Sequence, residues 1–242
     1  MKRFRMFAGP NGSGKSTLIE DVRKVCHIGY FINADIIEVQ LKAKGFIDCE
    51  DYLPVKVTQE DWFTFLTTTI ENKKIELLAL EGLRLVDNIL VSATTFFDSY
   101  VAAVIADFFR NRLLQTESTF SFETVMSHPS KVDFLKKAKA KDFKTYLYFV
   151  GTQDPSINIE RVGLRVLKGG HNVLADKITN RYYRSMEQLA EAFLLVDRAY
   201  IFDNTLSNSR FLLLEKDGNE VKMHLETVPE WVYTYLLEKI DV

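Results

Sequence analysis

The sequence predicts an α/β fold built on a doubly wound, mostly parallel sheet. Three observations carry that expectation. Apolar strand candidates alternate with amphipathic helical stretches. A glycine-rich loop stands between the first strand and the first helix. Several strand candidates end in an acid, at the sheet edge where ligands of open α/β folds collect. The 242 residues suffice for one large domain with a full core, and residues 1–242 are read as a single domain carrying an insertion.

The first strand is expected at Arg3 to Ala8. It runs into Gly9-Pro10-Asn11-Gly12-Ser13-Gly14-Lys15-Ser16-Thr17, a complete loop of the form G-x-x-x-x-G-K-[ST]. Glycines at 9, 12 and 14 admit backbone conformations closed to other residues, so successive N–H groups can turn inward and form an anion nest. Lys15 can then reach the β- and γ-phosphates of a nucleotide, and the Ser16 hydroxyl can ligate Mg²⁺. A helix from Lys15 to about Val25, with Leu18, Ile19 and Val22 on one face, adds its positive N-terminal end to the same place.

A second strand is expected at Tyr30 to Asn33, ending in Ala34-Asp35. From about residue 36 to 114 the pattern reads as mostly helical, with Pro54 as a break and apolar runs at Trp62 to Leu66, Ile75 to Leu90 and Val101 to Phe109. So long a connection between two strands is an insertion or cap. A third strand, Thr119 to Phe122, leads into Glu123-Thr124, and a helix follows over Lys131 to Lys141, whose lysines form either a solvated face or a site for an anionic partner. Thr145 to Val150 is almost wholly apolar, as a central parallel strand requires. Two helical segments, Asn158 to Lys168 and Ala175 to Arg198, flank Gly169-Gly170-His171-Asn172 and form a lid-like segment over about 156–198. Ala199 to Phe202 is the last core strand and ends in Asp203-Asn204-Thr205. The tail alternates around Asp217-Gly218-Asn219, a hairpin signal, and a closing helix starts at Pro229.

Bulk properties narrow the function classes. Thirty-one basic residues nearly balance 33 acidic ones, and no basic stripe is interleaved with aromatics, which disfavours nucleic acid as a partner. Cys26 and Cys49 make neither a metal spacing nor a disulfide framework, as expected of a reducing cytosol. The apolar stretch after Met1-Lys2-Arg3 is cut by Arg5 and Gly9-Pro10, so no signal peptide is expected, and no segment is long enough to span a bilayer. A soluble cytoplasmic protein is the expectation.

Three constellations extend the loop. Asp35 sits at a strand end about twenty residues after Lys15, where it could accept the proton of a substrate hydroxyl or hold Mg²⁺ through water; it could also cap the helix beginning at Ile36. Glu123 and Thr124 place a carboxylate and a hydroxyl at another strand end, a pair able to bind the neighbouring hydroxyls of a sugar. Glu81, in a helix-like run, is a rival acid, and Glu123 is preferred for its aromatic and β-branched neighbours. Arg161 and Arg165 lie on one helical face, with Arg181 and Arg184 beyond the double glycine. Guanidinium groups on a movable segment can neutralise a transferring phosphoryl group and exclude water.

The loop, Asn33-Ala34-Asp35, Phe120 to Thr124, Asn158 to Val166, Gly169-Gly170-His171, Arg181 to Ser185 and Phe202 to Thr205 together resemble the zeta-toxin-like P-loop kinases, within them the branch labelled ABC-type ATPases. The matches fall in residues 1–35 and about 115–205. The resemblance implies a P-loop kinase core of strand order 2-3-1-4-5, with ATP and Mg²⁺ as the donor and a hydroxyl acceptor, in the family's toxins a UDP-N-acetylamino sugar. It assigns Gly9 to Thr17 and Asn204 to the nucleotide, Ser16 to the metal and Lys15 to the phosphates. Asp35 would be the base and Glu123 with Thr124 the sugar-binding pair, while Arg161 or Arg165 would carry the lid charge. An antitoxin-like protein is an imaginable partner, and a nucleotide-switched binding module with slow ATPase activity is the alternative to a kinase. The segment 36–114 matches nothing in that family.

Overall fold

The computed structural model describes residues 1–70, 82–92, 99–170, 172–206 and 209–240. Glu81 and His171 lie outside the described residues. The chain divides into two compact units, one made of residues 1–28 and 121–242, the other of residues 29–120.

In chain order the elements are β1 (Arg3–Ala8), α1 (Lys15–Val25), β2 (Tyr30–Ile32), α2 (Ala34–Lys44), β3 (Phe46–Asp48), α3 (Gln59–Ile70), β4 (Leu83–Val86), β5 (Ile89–Ser92) and α4 (Ser99–Leu113). They continue with β6 (Phe120–Thr124), α5 (Ser130–Ala140), β7 (Lys144–Gly151), α6 (Pro155–Leu167), α7 (Ala175–Glu187), α8 (Leu189–Leu195), β8 (Arg198–Asp203), β9 (Phe211–Asp217), β10 (Glu220–Met223) and α9 (Glu230–Tyr235).

The first unit is built on a sheet in the order β10-β9-β8-β7-β1-β6. β1 pairs parallel with β7, Arg3 opposite Lys144, and β7 pairs parallel with β8, Tyr146 opposite Arg198. Both central strands are mostly apolar, as helices covering both faces require, and β1 is buried after Arg3, Arg5 included, and β7 after Lys144. On one face Phe4, Phe122 and Phe134 pack with ring centroids 5.1–5.3 Å apart. On the other, Phe7, Tyr148 and Tyr200 stack at 4.9 Å spacings across three neighbouring strands. β9 runs antiparallel to β8 and turns through Gly218, φ 62°, into β10, the expected hairpin. The β6-β1-β7-β8 run is the 3-1-4-5 part of the anticipated strand order.

The second unit places β2 beside the approach to β6, the Tyr30 N–H donating to the Thr119 carbonyl at 3.1 Å. Gly29 permits this contact, since a Cβ there would stand 1.9 Å from the Thr119 carbonyl oxygen. Asn33 caps α2, its side chain accepting from the N–H groups of Asp35 and Ile36. An aromatic cluster of Trp62, Phe65, Phe108, Phe109 and Tyr52 fixes α3 and α4. The stretch read as mostly helical also holds a three-stranded antiparallel sheet, β3-β5-β4. Its hairpin turns through Asp87 and Asn88, both with positive φ (49° and 68°), the left-handed pair that a two-residue hairpin demands. Asn88 is buried because its side chain accepts the Val57 N–H at 2.9 Å. No helix among the described residues is long and apolar enough to cross a membrane.

Candidate functional site

The site grows from the end of β1. Gly9, Gly12 and Gly14 have φ of 137°, 73° and 99°, so the loop needs the glycines that the sequence supplies. Gly9 and Gly12 are also closed to a side chain by neighbouring backbone, and Gly14 by the end of the Asn204 side chain. A Cβ would lie 2.2 Å from the Val150 carbonyl at Gly9, 2.7 Å from the Asn158 carbonyl at Gly12, and 2.4 Å from the Asn204 amide at Gly14. Gly14 caps α1 in the left-handed conformation, with the Leu18 N–H returning to its carbonyl at 3.2 Å. The first N–H groups of α1 have no partners earlier in the helix, the arrangement that lets a helix start hold an anion.

Lys15 is buried. Its ammonium donates to the carbonyls of Gly9 and Pro10, each at 2.9 Å, and lies 3.8 Å from the Glu123 carboxylate. The loop lysine and the strand-end acid thus converge. The Thr124 hydroxyl accepts the Met126 N–H at 3.0 Å, a turn bond that leaves its own proton to donate elsewhere. Ser16 and Thr17 are exposed at the start of α1. Two buried acceptors of the loop, Asn11 Oδ1 and Ser13 Oγ, have no hydrogen-bond partner among the described residues.

The loop is clamped from behind by Asn158, which the sequence reading placed in a helix without a role in the site. Asn158 is fully buried on α6, donating to the Asn11 carbonyl at 2.6 Å while accepting from Thr152 Oγ1 at 2.5 Å. The signal was present: Pro155, Asn158 and Val162 share one helical face that is otherwise apolar, and a polar residue there needs partners. α6 begins one turn earlier than expected. Asp154 caps it and is held below the usual carboxylate range by its bonds to Ser156.

The turn after β8 completes the frame. The Asp203 carboxylate accepts from Thr205 Oγ1 and from the Trp231 indole N–H, at 2.7 and 2.9 Å, so it is a strand-end clasp. Asn204 donates its amide to the Ser13 carbonyl at 2.8 Å, beside Gly14. Arg161 donates to the carbonyls of Asn204 and Thr205 at 2.7 and 3.3 Å. A cleft of about 510 Å³ opens between these parts, bordered by Gly12, Gly14, Thr17, Arg161, Asn204 and Arg210. Arg165 is exposed one turn further along α6, and its stem covers Gly170. The single helix expected over 175–198 is two, α7 and α8, meeting at Gln188. Asp35 is exposed in the first turn of α2, within the second unit; the cap of that helix is Asn33, not Asp35.

No family model matches the chain. A 63-residue stretch, 26% of the chain, is 33% identical to an uncharacterized protein of Haemophilus influenzae and covers 45% of it. The whole fold has solved counterparts. The chain aligns over 99% of its length with AvrRxo1-ORF1:AvrRxo1-ORF2 structures determined with sulphate ions and with ATP, each at TM-score 0.60 and 11% identity. It spans 64% of those chains. It also aligns over its full length with a structure of the PezAT chromosomal toxin-antitoxin system of Streptococcus pneumoniae, at TM-score 0.53 and 13% identity, covering 79% of that chain. The chain has the P-loop kinase-like fold of these proteins.

Proposed function

We propose that the chain is a kinase that moves the γ-phosphoryl group of ATP to a hydroxyl of a small acceptor, with a nucleotide sugar as the acceptor class and the zeta toxins as its family. The observation that carries the reading is Lys15. A buried ammonium, pinned by two loop carbonyls at a helix start behind three glycines of positive φ, suits an anion, and a cleft bordered by Gly12, Gly14 and Thr17 of the same loop lies open. That one fold counterpart was determined with ATP supports the same donor.

The donor set also fits magnesium. Among the described residues no three His, Cys, Asp or Glu side chains cluster as a metal cage, and Mg²⁺ in such sites is held by phosphates, water and one or two protein oxygens. The exposed Ser16 hydroxyl is the protein oxygen suited to it. When bound, the ion neutralises charge on the β- and γ-phosphates.

In the proposed reaction Lys15 and the loop N–H groups hold the phosphates. Asp35 takes the proton of the acceptor hydroxyl, whose oxygen bonds to the γ-phosphorus as the bond to the β,γ-bridging oxygen breaks, releasing ADP. Arg161, at the cleft wall, compensates the charge that builds on the moving group, with Arg165 as the second candidate. Glu123 and Thr124 grip the acceptor. An antitoxin-like protein is the proposed partner, by analogy with the PezAT system.

The test is incubation with ATP, Mg²⁺ and a panel of sugar nucleotides, followed by mass analysis. A product heavier by one phosphoryl group is expected. ATP hydrolysis at the same rate with or without every acceptor would instead favour a nucleotide-switched binding module.

A further inference from the structure

The cleft beside the glycine loop holds a second guanidinium that the proposed chemistry does not use. Arg210, the residue before β9, donates to the Asp21 carboxylate of α1 at 2.6 Å, and its guanidinium carbon stands over the Phe202 ring, 5.7 Å from the centroid. Its side chain is 18% exposed, and it borders the same cleft as Gly12, Gly14 and Thr17. Asp21 also accepts from Lys24 at 2.9 Å on the helix surface.

Position along α1 separates this guanidinium from the phosphate machinery. Asp21 lies six residues beyond Lys15, about 9 Å along the helix axis at 1.5 Å per residue. That offset is of the order of the reach from the inner phosphates of a nucleoside triphosphate to its base. Of the other planar groups bordering the cleft, Arg161, bonded to two carbonyls, is the one assigned above to the moving phosphoryl group, and the Asn204 amide is engaged by the Ser13 carbonyl. A guanidinium already packed against one aromatic ring offers a rigid, weakly hydrated plane to another.

We infer that Arg210 is the platform on which the base of the bound nucleotide stacks, and that Asp21 is the positioning residue that sets its plane. The inference rests on the nucleotide site proposed above, and it divides that site into a phosphate end at Lys15 and a base end at Arg210.

Binding of three ligands by the full chain, measured calorimetrically, tests it: ATP, ribose 5′-triphosphate lacking the base, and inorganic tripolyphosphate. Arg210→Ala is expected to weaken ATP about tenfold while leaving the two baseless ligands within twofold. Arg210→Lys, which keeps the charge and loses the plane, should behave like Arg210→Ala, and Asp21→Asn should weaken ATP about threefold with the same selectivity. Unchanged tripolyphosphate binding also certifies that each variant is folded. Equal loss for all three ligands would make Arg210 a phosphate charge and overturn the inference. Loss for ATP and ribose triphosphate alike would make it a sugar contact and overturn it too. If the unaltered chain bound none of the three, the proposed function itself would fall, whereas intact ATP binding by Arg210→Ala would remove only the stacking platform.

Discussion

Gly9 and Gly45 both have positive φ, 137° and 76°, yet they occupy opposite surroundings. At Gly45, the residue that ends α2, a Cβ would meet nothing within 4 Å, whereas at Gly9 it would strike the backbone of Val150 at 2.2 Å. Gly45→Ala should therefore cost only the left-handed backbone penalty, about 1 kcal/mol. Gly9→Ala adds a collision with backbone that cannot rotate away and should cost about 3 kcal/mol or more; urea unfolding midpoints of the two variants compare them directly. At this scale the sequence was most legible. The glycine spacing, Lys15 and the acid at Glu123 were all readable because their chemistry is tied to residue type. Asn158 and Arg210 were not, since each acquires its partners, Asn11 and Asp21, from more than a hundred residues away.

The elements are held by polar side chains at their ends as much as by their apolar faces. Lys216 of β9 is buried and donates to the carbonyls of Phe193, Leu194 and Val196 at 2.7–2.8 Å, closing the C-terminus of α8 where backbone acceptors are orphaned. Burial pushes its ammonium below the ordinary lysine value. Lys216→Met, which keeps the stem and removes the donors, should lose about 2 kcal/mol in a denaturant titration. Asp197 joins the starts of β7 and β8 by accepting from the Thr145 N–H and hydroxyl at 2.7 and 2.8 Å. Burial raises its carboxyl, but the Thr145 bonds, helped by Lys139 and Lys144, outweigh burial and hold it below its ordinary 3.8. A depressed carboxylate stabilises the fold fully above that ordinary value and loses its contribution as pH falls through the folded one. Asp197→Asn should thus lower the thermal midpoint at pH 7 yet show a smaller fall than the unaltered chain between pH 5 and pH 3. The core strands and most helices were legible as alternating apolar stretches. β4 and β5 were not, because Leu83 to Ser92 is too short a stretch for period two to stand out from a helical repeat, and the turn signal at Asp87-Asn88 lacks the usual glycine.

For the whole molecule, the two units divide the proposed labour. Every group assigned to the nucleotide, from Gly9 to Thr17 with Arg161, Asn204 and Arg210, belongs to the first unit, whereas Asp35 belongs to the second, on a helix capped by Asn33. Half of the chain could be read against a known pattern, and that half carries the proposed donor site. The stretch 36–114 could not, and its β3-β5-β4 sheet and aromatic cluster came only from tertiary pairing. The division predicts that donor binding and phosphoryl transfer separate under mutation. The most direct measurement is single-turnover transfer of labelled γ-phosphate from ATP to a sugar nucleotide by the unaltered chain and by Asp35→Ala, with ATP affinity measured alongside. Transfer should fall by about a hundredfold or more while ATP affinity stays within twofold; transfer at the unaltered rate would contradict the assignment of Asp35 as the base that readies the acceptor.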